Sequence, residues 1–259
     1  MEMAVARDLE LVQFRYSPYN EKARWGRDFK GLPHRRRSLL PGPHMRATKR
    51  LSGQTATPIL VIDGEAVAGS ARILERLERE ASTPALFPAD PALRAEAVAI
   101  ERRFDEDLTP RIRRAVLAAI LDDAGYVARV FGADHGGLAR TLYAATFPLA
   151  RGLVRKGNGI GSQADIDDGC AAATEALDFV VDRTATTGYL VGDRFTLADL
   201  AAAASLAPLV DPDHPDMRRR EPMPDTLRQW LARWRAHPGA AWIDEMYRKH
   251  RPMPATPAG

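Results

Sequence analysis

Leu9-Glu10-Leu11-Val12-Gln13-Phe14-Arg15-Tyr16-Ser17-Pro18 sets the reading of the first third of the chain. Leu9 to Phe14 is short, apolar and rich in strand-favouring residues, and it stops where a helix is signalled. Ser17 suits an N-cap. Pro18 suits the first helical position, where its missing N–H would have had no partner anyway. The helix is expected to run to about Lys30-Gly31, where glycine ends it. Working outward, Arg35 to Leu40 offers a second strand, and an irregular Pro- and Gly-containing segment follows from Pro41. Pro58 to Ile62 is apolar and β-branched, Asp63-Gly64 is a two-residue hairpin signal, and Glu65 to Ala68 supplies the return strand. Gly69-Ser70 then opens an amphipathic helix with Ile73, Leu74 and Leu77 on one face. The order is strand, helix, strand, irregular segment, hairpin, helix.

From Ser82 to Pro91 the composition shifts to Ser, Thr, Pro, Ala and Asp, which reads as a linker. Beyond it helical periodicity occupies Ala92 to Asp123, Gly137 to Lys156, Ala164 to Arg183, Leu197 to Leu209 and Pro224 to Arg235, with further turns near Trp242 to Arg251. Gly157-Asn158-Gly159-Ile160-Gly161 follows a helix rather than a strand, so it reads as a helix connection and not a phosphate loop. With 45% hydrophobic and 27% charged residues in 259, the chain has the balance of a folded globular protein.

A formal charge of +3 does not point to nucleic acid, which would call for clustered cations with stacking aromatics. The one basic cluster, His34-Arg35-Arg36-Arg37, reads as a solvated strand end or as a rim attracting acidic ligands. The single cysteine, Cys170, excludes an intramolecular disulfide, fits a reducing compartment and reads as a small buried hydrophobe. Met1 to Asp8 is interrupted by charge and lacks a secretory apolar core. No stretch of about 18 apolar residues suggests a membrane span, so a cytoplasmic location without a membrane partner is expected. The six histidines show no metal-ligand spacing. His214 sits in a proline-broken loop.

Three places could carry chemistry. The turn at Ser17 gathers backbone N–H groups at the positive end of a helix, an arrangement that stabilises an anion such as a thiolate. Lowering a bound thiol from ~8.5 to ~6.5 would raise its thiolate fraction at neutral pH from roughly 3% to roughly 75%. Thr57-Pro58 precedes a strand, and a cis bond there would turn the Thr57 backbone groups outward toward a ligand. Gly69-Ser70 begins a helix whose N–H groups and hydroxyl could hold a carboxylate. Ser17 and Asn20 stand where a redox pair would put cysteines, so disulfide chemistry by the chain's own thiols is not expected.

These pieces, in this order, resemble the glutathione S-transferase superfamily. Tyr16 to Trp25 resembles its active-site turn and first helix, Gly53 to Gly64 its cis-proline loop and hairpin, and Gly69 to Leu74 the start of its γ-glutamyl-binding helix. Tyr189 to Asp199 is similar to its capping motif, where Thr196 caps a helix and Asp199 closes the box. The resemblance implies an α/β plus all-α chain: a thioredoxin-like glutathione-binding domain over 1–81, a linker over 82–91 and an all-helical domain over 92–259. It implies that Ser17, with Tyr16 as its rival, stabilises the thiolate of glutathione, the co-substrate, with no metal involved. Gln54, Thr57, Pro58, Gly69 and Ser70 would bind the tripeptide. Tyr19, Arg103 and Phe104 would border the site for a small apolar electrophile. Gly69 stands where many members carry an acidic residue that meets the γ-glutamyl ammonium. The implied function is transfer of glutathione to an electrophile, or isomerisation or cleavage on the same scaffold, by a homodimer. The alternative is a noncatalytic ligand-binding or interaction protein of the same fold.

Overall fold

A computed structural model describes residues 9–254; the reading of Met1 to Asp8 lies outside them. The first third builds a four-stranded sheet in the order β2-β1-β3-β4. Its strands are β1 (Leu9–Gln13), β2 (Arg35–Ser38), β3 (Ile59–Ile62) and β4 (Glu65–Ala68). Helix α1 (Pro18–Phe29) carries the chain from β1 to the parallel β2, whereas β3 runs antiparallel to β1 and pairs with β4 across a tight hairpin. Asp63 and Gly64 both adopt positive φ (50° and 87°), as a two-residue turn matching strand twist demands. Leu9, Leu11, Leu60 and Ile62 join Ala23, Trp25 and the Ile73, Leu74 and Leu77 face of α3 (Ser70–Glu80) in the core. Gly26 lets α1 approach α3: a Cβ there would lie 2.1 Å from Leu74 Cδ2.

One segment expected to be irregular is partly helical. After the turn through Pro41 to Pro43 the chain forms α2 (His44–Ser52), which ends on Gly53 in the left-handed conformation. Thr48 is its one buried residue, so the helix has no apolar stripe to betray it.

From Pro91 onward the described residues form helices and connections. Asp90 caps α4 (Pro91–Arg103) by accepting from Ala92 and Leu93 N–H. A wide π-helical turn, Phe104–Leu108, then leads into α5 (Thr109–Ala118). The single helix expected over 92–123 is thus interrupted at Phe104 and ends early. Asp123 instead caps an additional helix, α6 (Ala124–Phe131). There follow α7 (Gly137–Gly157), α8 (Gln163–Thr184), α9 (Leu197–Val210), α10 (Asp225–Arg235) and α11 (Pro238–His250). Every residue of α9 is buried, as befits a helix apolar all round. Its capping box forms as expected: Thr196 Oγ1 accepts from Ala198 N–H, and Asp199 accepts from Thr196 N–H and from Leu190 N–H, both at 2.8 Å. Burial pushes the Asp199 carboxyl up to about 6. Among the described residues no helix is long and apolar enough to cross a membrane.

The two parts share one continuous apolar core and a buried ionic cluster. Arg251, just past α11, contacts Glu21 and Asp28 of α1 at 2.8 Å and Asp216 at 2.7 Å. Arg24 pairs with Glu21, and Arg36 of β2 with Asp28 and Asp216. The basic cluster is thus divided: Arg35 is exposed and the Arg37 side chain is 41% exposed, as at a solvated strand end, whereas His34 is buried and the Arg36 side chain is 8% exposed. Burial alone would raise the Asp216 carboxyl, but the guanidiniums of Arg24, Arg251 and Arg36 hold it well below the usual range.

Candidate functional site

Ser17 sits at the N-cap of α1 in extended conformation (φ −91°, ψ 131°), and its carbonyl accepts the first helical bond, from Glu21 N–H at 2.9 Å. Its hydroxyl makes no capping bond. That departs from an ordinary serine cap, whose side chain would be spent on the helix's own N–H groups. Thr57, one turn of loop away, is fixed against the same helix: Asn20 Nδ2 donates to Thr57 Oγ1 at 3.1 Å. The Thr57–Pro58 bond is cis, and Gly69 N–H donates to the Pro58 carbonyl at 3.0 Å, tying the start of α3 to the loop. Gly69 adopts φ +93° and ψ 136°, a region that a residue with a Cβ enters only under strain, which accounts for glycine at this position. Gln54 is exposed in the preceding loop.

Ser70 is buried, and its hydroxyl donates to Asp105 Oδ2 at 3.4 Å. Asp105 lies in the wide turn after α4, so the helical part reaches into the cradle formed by the first third. Lys22 of α1 bridges Asp105 Oδ2 and Glu101 Oε1, each at 2.5 Å. One ammonium thus faces two carboxylates. Burial pushes the Glu101 carboxyl up, more strongly than Lys22 pulls it down, and the adjacent Asp105 adds to the rise. The other oxygen, Asp105 Oδ1, is buried without a hydrogen-bond partner, an arrangement that is costly in a folded protein and suited to an incoming donor. Asn20 Oδ1 is in the same condition.

The remaining expected residues divide. Tyr19 touches the cluster, its hydroxyl donating to the Asp105 carbonyl at 2.9 Å, and burial pushes its phenol up to about 12. Tyr16 donates its hydroxyl to the Arg218 carbonyl at 3.1 Å, in the loop after α9. Arg103 pairs with Glu175 of α8 at 2.8 Å and lies over the Phe179 ring. Phe104 has no exposed surface and packs against the same ring. These two side chains serve the packing of the wide turn after α4 on α8. Cys170 is buried, which raises its thiol. Arg36 and Arg37 border, with Arg15 and His135, a cavity of about 350 Å³ at the end of β1 and β2.

Asp105 and Lys22 were not among the residues expected from sequence. Asp105 stands in an Asp-Glu-Asp run inside an expected helix, where a solvated face is the ordinary reading. Lys22 looks like one more surface cation on α1. The wide turn that aims the carboxylate inward leaves no mark in the periodicity.

Two family models match the chain: that of the glutathione S-transferase N-terminal domain over residues 11–85 and that of the C-terminal domain over residues 163–236. No curated protein matches the sequence. Among solved structures the chain is similar to the β-etherase LigF from Sphingobium sp. strain SYK-6, with 22% identity over 92% of this chain and 98% of that one, TM-score 0.61. It is also similar to a glutathione S-transferase from Methylobacillus flagellatus KT with glutathione bound, with 18% identity over 93% and 95%, TM-score 0.61. FzlA from C. crescentus matches with 22% identity over 91% of each chain, TM-score 0.57. At these identities the likeness is one of fold.

Proposed function

Since the chain belongs to the glutathione S-transferase superfamily, we propose that it binds glutathione across the starts of α1 and α3 and the Thr57–Pro58 loop, and activates its thiol for attack on a small apolar electrophile. The observation that carries this reading is the uncommitted Ser17 hydroxyl at the positive end of α1, beside a cis-proline loop tied to a second helix start. Ser17 would donate to the sulfur and favour its anion. Each pKa unit of lowering corresponds to about 1.4 kcal/mol of preference for the thiolate. Ser17 is favoured over Tyr16 because the phenol proton of Tyr16 is already engaged by Arg218.

Thr57 would pair with the cysteinyl backbone through its own N–H and C=O, while the backbone N–H of Ser70, whose hydroxyl is given to Asp105, would hold the γ-glutamyl carboxylate. With glycine at 69, the acidic partner for the γ-glutamyl ammonium has to come from elsewhere. Asp105 Oδ1, a buried acceptor on the carboxylate that meets Ser70, would supply it, with Lys22 bridging that carboxylate to Glu101. The sulfur then forms a bond to the electrophilic carbon, and the leaving group departs with its electron pair. The chain's contribution is preoriented donors and dipoles, with no covalent intermediate on the protein. We place this chemistry in a reducing compartment and in a homodimer.

The test is conjugation of glutathione to a generic aryl halide by the intact chain and by Ser17→Ala. A loss of about 100-fold in kcat/KM is expected, the magnitude associated with removing one preorganised donor. An activity indifferent to the substitution would remove Ser17 from the mechanism. Calorimetry with glutathione separates this from a noncatalytic reading, which Gly69 favours: absence of binding at millimolar concentration would support a carrier or interaction protein.

A further inference from the structure

Helix α7 presents a surface that nothing in the glutathione reading uses. Leu138, Leu142, Leu149 and Leu153 are 76%, 57%, 87% and 74% exposed. At 3.6 residues per turn they fall along one side of the helix over about 22 Å, turned away from Tyr143 and Phe147, the residues that bury the inner face of α7. Isolated exposed leucines are ordinary, but four on one face of one helix mark a contact surface. The helix lies between the two stretches that match the family models.

The spacing of the stripe is self-complementary. Leu138 and Leu153 are equidistant from the junction of Ala145 and Thr146, and so are Leu142 and Leu149. An antiparallel pair of identical helices crossing at that junction sets Leu138 against Leu153 and Leu142 against Leu149, twice over. That reciprocity is the signature of a two-fold interface. We propose that α7 is the contact surface between two copies of this chain, packed antiparallel about Ala145 and Thr146.

The small residues on the axis, with Gly152 further along, leave room for close approach of the helices. The cations of α7 lie away from it. The stem of Arg140 folds onto Gly132, and Arg151 pairs with Asp122 at 3.1 Å. Arg155 and Lys156 stand about 15 Å from the axis along the helix. The four leucines offer about 500 Å² per copy, so two copies cover about 1,000 Å², the lower edge of a specific interface, to which neighbouring side chains add. The surface gives the homodimer of the preceding reading a location, and it is independent of whether glutathione binds.

The experiment measures mass by light scattering for the intact chain, for the double variant Leu142→Glu with Leu149→Glu, and for Thr146→Cys. Both leucines are exposed, so the double variant is expected to keep its helical circular dichroism. The intact chain should have the mass of two copies and the double variant that of one. Thr146→Cys should oxidise to a covalent dimer, because the native thiol, Cys170, is buried and the new one lies beside its own copy across the axis. A dimer that survives both glutamates and does not cross-link would keep the homodimer and overturn its placement on α7. A monomeric intact chain would overturn both. So would a monomer whose leucines instead drive it onto phosphatidylserine vesicles, with the double variant released.

Discussion

Replacing Asp105 by asparagine isolates the electrostatic part of the proposed glutathione site. The substitution keeps the shape of the side chain and removes its charge. Asp105 Oδ2 is already occupied by Lys22 at 2.5 Å and Ser70 at 3.4 Å, leaving buried Oδ1 as the acceptor for a ligand ammonium. A hydrogen bond to a charged group contributes about 1.5–3 kcal/mol, so Asp105→Asn should weaken glutathione binding by about 10-fold to 150-fold. The loss must depend on the ammonium. Calorimetry is therefore run with glutathione and with its glutaryl analogue, identical except that the γ-glutamyl amino group is absent. The analogue should bind the intact chain and the variant with nearly equal affinity. Glu101→Gln is the control, because it removes the other carboxylate from Lys22 and should lower stability without distinguishing the two ligands. Equal weakening of both ligands by Asp105→Asn would mean that Asp105 merely positions Ser70, and no weakening of either would place the ammonium elsewhere.

Three further outcomes concern the scaffold. Burial, then the cations Arg27 and Arg36, hold the His34 imidazole down to about 3, against 6.5 unperturbed. Between pH 6.5 and about 3 the unfolded chain takes up a proton that the folded chain refuses, so across that window this residue makes stability fall with falling pH by about 1.4 kcal/mol per unit. His34→Gln should flatten the acid limb of a denaturant-unfolding series by that slope; an unchanged slope would count against a buried neutral His34. Arg251→Met leaves Glu21, Asp28 and Asp216 short of a cation and should cost about 3–5 kcal/mol, read as a lower midpoint in thermal unfolding. Gly169→Ala sets a Cβ 2.6 Å from the Arg111 carbonyl oxygen where α5 meets α8, and should cost about 1–3 kcal/mol in the same assay.

The architecture was legible where local chemistry and burial agree. Ser17-Pro18, Asp63-Gly64 and Thr196 with Asp199 each specify a backbone geometry, and each stands where that geometry occurs. Legibility failed where tertiary contacts decide. Helix α2 buries one residue and follows Pro41-Gly42-Pro43, so neither periodicity nor composition announces it. Asp123 reads equally as the end of one helix or the cap of the next, and α6 was missed for that reason. At the proposed site, Ser17 and Ser70 stand out because strand-to-helix turns mark them, and Thr57 because it precedes a proline at the start of a strand. Asp105 is not, since its approach to Ser70 depends on one wide turn that joins regions 35 residues apart.

The central claim is that the start of α1 favours a sulfur anion, and titrating the thiol of protein-bound glutathione by its ultraviolet thiolate absorbance tests it most directly. The account predicts an apparent pKa well below the ~8.5 of a free thiol, near ~6.5, returning toward the free value in Ser17→Ala. A bound thiol that titrates as it does in water, with or without the Ser17 hydroxyl, would contradict it.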